Sequence, residues 1–136
     1  MKKNKVILDT NLWISFLITK NFSSLDKLIE KNHIEFVFSV ELLEEFVDVV
    51  SRPKFKKHFL KRDIEKILEY FNEYGILIKV KTSVHLCRDQ KDNFLLNLAI
   101  DAKADYLITG DNDLLIMNTI EQTTISTYTS FIKQIS

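Results

Sequence analysis

Short apolar runs alternate along the chain with stretches whose apolar positions recur every three or four residues. Four of the runs read as buried strands: VIL at Val6–Leu8, FVF at Phe36–Phe38, ILIKV at Ile76–Val80 and YLI at Tyr106–Ile108. TTIST at Thr123–Thr127 is a weaker fifth. Helical spacing occupies the intervals, at about Leu12–Ile18, Ser24–Lys31, Val40–Val50, Arg62–Tyr74, Phe94–Lys103 and Tyr128–Ile135. Strands that alternate with helices require crossover connections. The pattern therefore predicts an α/β fold of three layers, α/β/α, around a central, mostly parallel sheet of four to five strands.

Two of the helices place acids at defined positions. With about 100° of turn per residue, Val40, Leu42, Leu43, Phe46, Val47, Val49 and Val50 fall on one half of the first wheel. Glu41 and Asp48 centre the polar half, while Glu44 and Glu45 stand at its two borders. A border acid can point along the sheet surface toward a cleft. In the second helix Leu95, Leu98, Ala99 and Ala102 share a face, and Asp92 precedes the first turn, where capping and the helix dipole favour an acid.

Composition narrows the class. The 136 residues are 46% apolar, with only Gly75, Gly110 and Pro53 as punctuation, so one domain spanning residues 1–136 is expected. The basic opening MKKNK leads into an apolar run too short for a signal peptide or a membrane span, which implies a cytoplasmic protein with no membrane association. Cys87 is the sole cysteine, so no internal disulfide forms; a buried or inert thiol is the plain reading. His33, His58 and His85 lie in unrelated segments and read as ordinary surface or partly buried imidazoles. With 19 basic and 19 acidic side chains there is no global field toward nucleic acid. The charge is nonetheless uneven: RPKFKKHFLKR, Arg52 to Arg62, contains Arg52, Lys54, Lys56, Lys57, Lys61 and Arg62 and no acid. Such a run is either a solvated turn and helix end or a phosphate-binding surface.

The chemistry rests on carboxylates. Asp9 directly follows the strand expected at the centre of the sheet, and an acid there stands at the carboxyl edge, where open α/β folds bind ligands. It could equally cap the next helix. Asp111 repeats the arrangement in YLITGDNDLL, where Gly110 is read as permitting a tight turn; a polar turn alone would also explain the DND segment. If Asp9, Glu45, Asp92 and Asp111 converge, four negative charges share one cleft. That is unfavourable unless cations neutralise them or some bind protons. Oxygen ligands without a histidine or cysteine cluster point to Mg²⁺ or Mn²⁺ rather than zinc, and such a site suits phosphodiester hydrolysis.

These segments together resemble the PIN-domain family, and specifically its branch of toxins from toxin-antitoxin systems. ILDTNLWIS is similar to the first family motif, with Asp9 as its acid and Thr10 and Asn11 beside it. FSVELLEEFVDVVSRPKF resembles the second, whose acid lies six positions after the strand-ending serine; counting from Ser39 selects Glu45 over Glu44. RDQKDNFLLNLAIDAKADYLITGDNDLL resembles the third and fourth, giving Asp92 and Asp111, with Asp113 as a further acid and Asn11 and Thr109 in support. The resemblance implies a metal site of Asp9, Glu45, Asp92, Asp111 and Asp113 for Mg²⁺ or Mn²⁺, ribonuclease activity, a homodimer and an antitoxin that blocks the site. Arg52, Lys54, Lys56 and Lys57 are the candidates for gripping RNA.

Two other classes use the same residues. An aspartate-nucleophile phosphatase would employ Asp9, but its second aspartate, two positions on, is here Asn11. A catalytically silent RNA- or protein-binding module would employ the acids as caps and the basic run as its contact surface.

Overall fold

The computed structural model describes residues 4–32, 34–83 and 92–135. Its strands are β1 (Asn4–Leu8), β2 (Ile34–Phe38), β3 (Gly75–Leu77), β4 (Tyr106–Ile108), β5 (Thr119–Ile120) and β6 (Thr123–Ser126). They form one sheet in the order β3-β2-β1-β4-β6-β5. Every neighbouring pair is parallel except β5 with β6. β1 lies inside the sheet, with Val6 opposite both Phe36 and Tyr106 and Leu8 opposite Ile108. Val6, Ile7 and Leu8 are fully buried, which accounts for a continuous apolar run where a one-sided strand would alternate.

The helices are α1 (Thr10–Thr19), α2 (Phe22–Asn32), α3 (Val40–Val50), α4 (Pro53–Lys56), α5 (Lys61–Tyr74), α6 (Asn93–Ala102), α7 (Asn112–Leu115) and α8 (Tyr128–Ile135). An aromatic cluster joins several of them to the sheet. The Phe71 ring of α5 lies 4.6 Å from Trp13 of α1, 4.8 Å from Phe38 of β2 and 6.0 Å from Phe46 of α3. Trp13 also meets Phe36 edge-on at 5.0 Å. Such contacts add to the large apolar area that aromatic rings remove from water.

Several sequence expectations need correction. Strand β3 stops at Leu77, short of Val80; Ile78 still donates to the Phe38 carbonyl, but the Asp101 carboxylate then accepts the backbone N–H groups of Lys81 and Thr82 and the Thr82 hydroxyl. Asp101 thus draws the chain away from the sheet toward α6. Val40 and Val47 are about half exposed, whereas Leu42, Phe46, Val49 and Val50 are buried. The buried stripe of α3 is narrower than half a wheel, since α1, α4 and α6 meet it over a limited arc. β5, α4 and α7 have no counterpart in the sequence pattern, because elements of two to four residues carry no period. Gly110 has no positive φ, and a methyl group added there would meet nothing within 4 Å, so the turn before Asp111 does not require glycine. Gly75 is constrained by space instead: an added methyl would lie 2.3 Å from the Phe71 carbonyl oxygen and 2.7 Å from the Phe38 ring. Among the described residues no helix is long and apolar enough to cross a membrane. His33, His85 and Cys87 lie outside the described residues.

Candidate active site

Asp9 stands where β1 gives way to α1. Its N–H donates to the Ile108 carbonyl at 3.0 Å, extending the β1–β4 pairing by one residue, and its own carbonyl accepts from the Leu12 N–H at 2.9 Å to open the helix. Asp9 is 6% exposed and its carboxylate closes no capping bond of ordinary geometry, though the first amides of α1 approach it. It is held from the other strand: the Thr109 hydroxyl donates to Asp9 Oδ2 at 2.7 Å. The same hydroxyl accepts from the Asp111 N–H at 3.1 Å, and Asp111 Oδ1 accepts from the Asp113 N–H at 2.8 Å. One hydroxyl thereby uses its donor on one acid and a lone pair on the backbone of another. Thr109 is itself fixed by its N–H, which donates to the Ser126 carbonyl at 3.0 Å.

The electrostatics of this edge follow from burial. Desolvation pushes the Asp9 carboxyl above the usual carboxylate range; the Thr109 bond and the approaching amides of Asn11 and Thr10 oppose that rise, and the Asp111 charge adds to it. Burial likewise raises Glu45, reinforced by the charge of Asp9 and opposed by Arg52 and by the nearby Thr10 hydroxyl, which closes no hydrogen bond of ordinary geometry. Glu45 is half-buried on α3, while Glu44 is exposed. The border of the wheel that faces the acids is therefore the one carrying Glu45.

Asp92 is the N-cap residue of α6, half-buried, with φ −92° and ψ −6°, and its side chain does not cap the helix. α6 packs against β1 and β4, the two strands that lead into Asp9 and Asp111. Among the described residues, no three His, Cys, Asp or Glu side chains are grouped tightly enough to hold an ion as they stand. The donor chemistry nevertheless fits a hard divalent cation. All the acids offer oxygen, and the buried hydroxyls of Thr10 and Ser126, at the same sheet edge, close no hydrogen bond of ordinary geometry within the protein. Mg²⁺ keeps several of its waters, and such hydroxyls suit that shell. Ser126 is not among the sequence candidates; its only signal is its place at the end of the weak fifth strand.

The basic candidates divide. Arg52 pairs with Asp48 at 3.0 Å, and the Lys54 ammonium lies 5.1 Å from the Phe55 ring centre, whereas Lys56 and Lys57 are exposed without an ion-pair partner among the described residues. Asn11 is exposed in the first turn of α1.

Comparison with known proteins agrees with this architecture. The PIN domain description matches residues 5–113, a span that contains Asp9, Glu45, Asp92, Asp111 and Asp113. An uncharacterized protein of Methanocaldococcus jannaschii is 36% identical over 117 residues, which cover 83% of this chain and 74% of the relative. PIN domains are generally nucleases and typically use divalent metals. A parallel sheet with Asp9 and Asp111 at the carboxyl ends of adjacent strands is thus a nuclease-like fold, and the chain belongs to the PIN-domain family.

Proposed function

We propose that this chain is a divalent-metal-dependent ribonuclease that hydrolyses RNA phosphodiester bonds, acting as a single cytoplasmic domain over residues 1–136. The observation that carries the reading is the buried Asp9 carboxylate, tied through one hydroxyl to the Asp111 loop and sharing its field with Glu45. Asp9, Glu45, Asp92 and Asp111, with Asp113, would hold Mg²⁺ or Mn²⁺. When bound, the ion supplies polarisation of the phosphoryl oxygen and a more acidic water. The protein's own part is orientation. Thr109 fixes the direction of the Asp9 carboxylate and, through the Asp111 amide, the start of the neighbouring acid's loop. Exposed Asn11 stands where it can meet substrate, and Arg52, Lys54, Lys56 and Lys57 attract the RNA backbone.

The resemblance of the four motifs to the toxin branch supports a finer reading: a homodimeric toxin held in check by an antitoxin protein. The phosphatase alternative lacks its second aspartate, since Asn11 stands there. The deciding experiment incubates the purified protein with structured and unstructured RNAs in Mg²⁺, Mn²⁺ or EDTA, beside Asp9→Asn. Cleavage that needs metal and Asp9 is expected. RNA binding with no cleavage in either metal would overturn the nuclease reading in favour of a binding module.

A further inference from the structure

Beyond the acids, the loop after α4 builds a basic recess of about 280 Å³ lined by Lys20, Lys56, Lys57, His58, Phe59 and Leu60. Lys20 comes from a distant part of the chain, at the end of α1 in the left-handed conformation with φ 57°. One buried carboxylate frames the recess: Asp63 Oδ2 accepts from the Leu60 N–H at 2.9 Å and lies 3.7 Å from the Lys20 ammonium. That acid offsets part of the Lys20 charge. Among the described residues, neither Lys56 nor Lys57 has an ion-pair partner. A second, more apolar recess of about 340 Å³ adjoins the first and shares Lys56, Phe59 and Leu60 with it; Val50, Ser51, Lys61 and Ile64 line the rest. Leu60 is 53% exposed where the two meet.

We infer that the adjoining recesses form a nucleotide subsite for single-stranded RNA, which takes a backbone phosphate among Lys20, Lys56, Lys57 and His58 and lays the attached base against Leu60. A partly neutralised cationic pocket beside an apolar shelf matches the two halves of a nucleotide. A peptide of acidic residues alone would fill the first recess and leave the second empty. Single-stranded sites combine these elements, a charged path for phosphates and apolar or aromatic surface for bases. The inference rests on the ribonuclease reading for its substrate and narrows the grip from the whole basic run to its second half. Arg52 and Lys54 line neither recess, while Lys20, absent from the sequence candidates, lines the first despite its pairing with Asp63.

The position also has a scale. Asp9 precedes α1 and Lys20 follows it, so the helical rise sets them about 16 Å apart. At roughly 3.4 Å per stacked nucleotide, the recess would hold a phosphate about five nucleotides from the one being cut, and fewer if the strand is extended.

The test measures binding of a fluorescent twelve-nucleotide single-stranded RNA in EDTA, where cleavage does not interfere, at several salt concentrations. The Lys20→Gln/Lys57→Gln double variant is expected to weaken binding and to flatten the slope of log K against log salt by roughly 0.7, one phosphate contact. Leu60→Ser is expected to weaken binding with the slope unchanged, because it removes apolar contact and no charge. Thermal melting of each variant checks the fold. Parental affinity and slope in both folded variants would overturn the subsite, as would a poly-glutamate peptide binding more tightly than the RNA at equal charge. The two readings fail separately. If the parent cleaves RNA and the variants bind it normally, only the subsite falls; if no protein cleaves RNA yet the variants bind it less well, the subsite stands and the nuclease reading falls.

Discussion

Asp9 concentrates what a single residue can do here. Its carboxyl and that of Glu45 are raised in the folded chain, so each contributes most to stability below the ordinary carboxylate range, and that contribution is lost as pH rises through the raised values. Metal-free parent protein should therefore melt at progressively lower temperature as pH rises from about 4 toward neutrality. Asp9→Asn should show a shallower decline and melt no lower than the parent at neutral pH in EDTA, while RNA cleavage falls on the order of 100-fold or more. A folded Asp9→Asn protein that cleaves like the parent removes the site assignment. Thr109→Val leaves the buried carboxylate without its donor, at a cost of about 1–3 kcal/mol, measurable by urea unfolding. Parental stability in that variant would show the bond to be dispensable. Glu45→Gln should impair cleavage far more than Glu44→Gln, whose side chain is exposed; equal effects would show that α3 presents the other border to the substrate. Asp9, Asp92 and Asp111 can be picked out of the sequence because each follows a strand or precedes a helix, and Glu45 because it borders the apolar face of α3. Thr109 and Ser126 are harder to see as partners, since a hydroxyl acquires meaning only from what folds against it.

At the scale of elements, legibility follows length and burial. The long helices and the buried apolar runs of β1 and β2 announce themselves, for a period or an unbroken apolar run needs several residues to register. The far end of β3 departs from its apolar pattern because the pull of Asp101 on Lys81 and Thr82 is a contact between segments about twenty residues apart, invisible to a local pattern. The β5–β6 connection offers a local test. Glu121 adopts φ 52°, in a region where a side chain costs about 1–2 kcal/mol and glycine is at ease. Glu121→Gly should raise stability by a few tenths to about 1 kcal/mol after the entropy it restores to the unfolded chain. A lower melting temperature in calorimetry would show that the glutamate side chain has a compensating role. Gly75→Ala has the opposite sign. With the Phe71 carbonyl in the way, the strand must shift from β2, and a loss of about 1–3 kcal/mol is expected in the same measurement.

The whole molecule shows why the site is legible as a set and not as a geometry. Strand order places the first strand beside the fourth, so acids that are remote in sequence become neighbours through topology. The parallel pattern announces that outcome in general terms, but which hydroxyl links them depends on register. The bond from Thr109 to Asp9 closes a loop of a hundred residues. Asp9 and the strand that completes its surroundings are thus far apart along the chain. Until β4 pairs with β1, its carboxylate has neither a shelter nor its donor. A truncated chain that stops before Thr109 thus carries the first acid of the family pattern without the environment that orients it. The surroundings of the first acid are therefore complete only once this long-range pairing has closed, and contacts between such distant segments are slow to form.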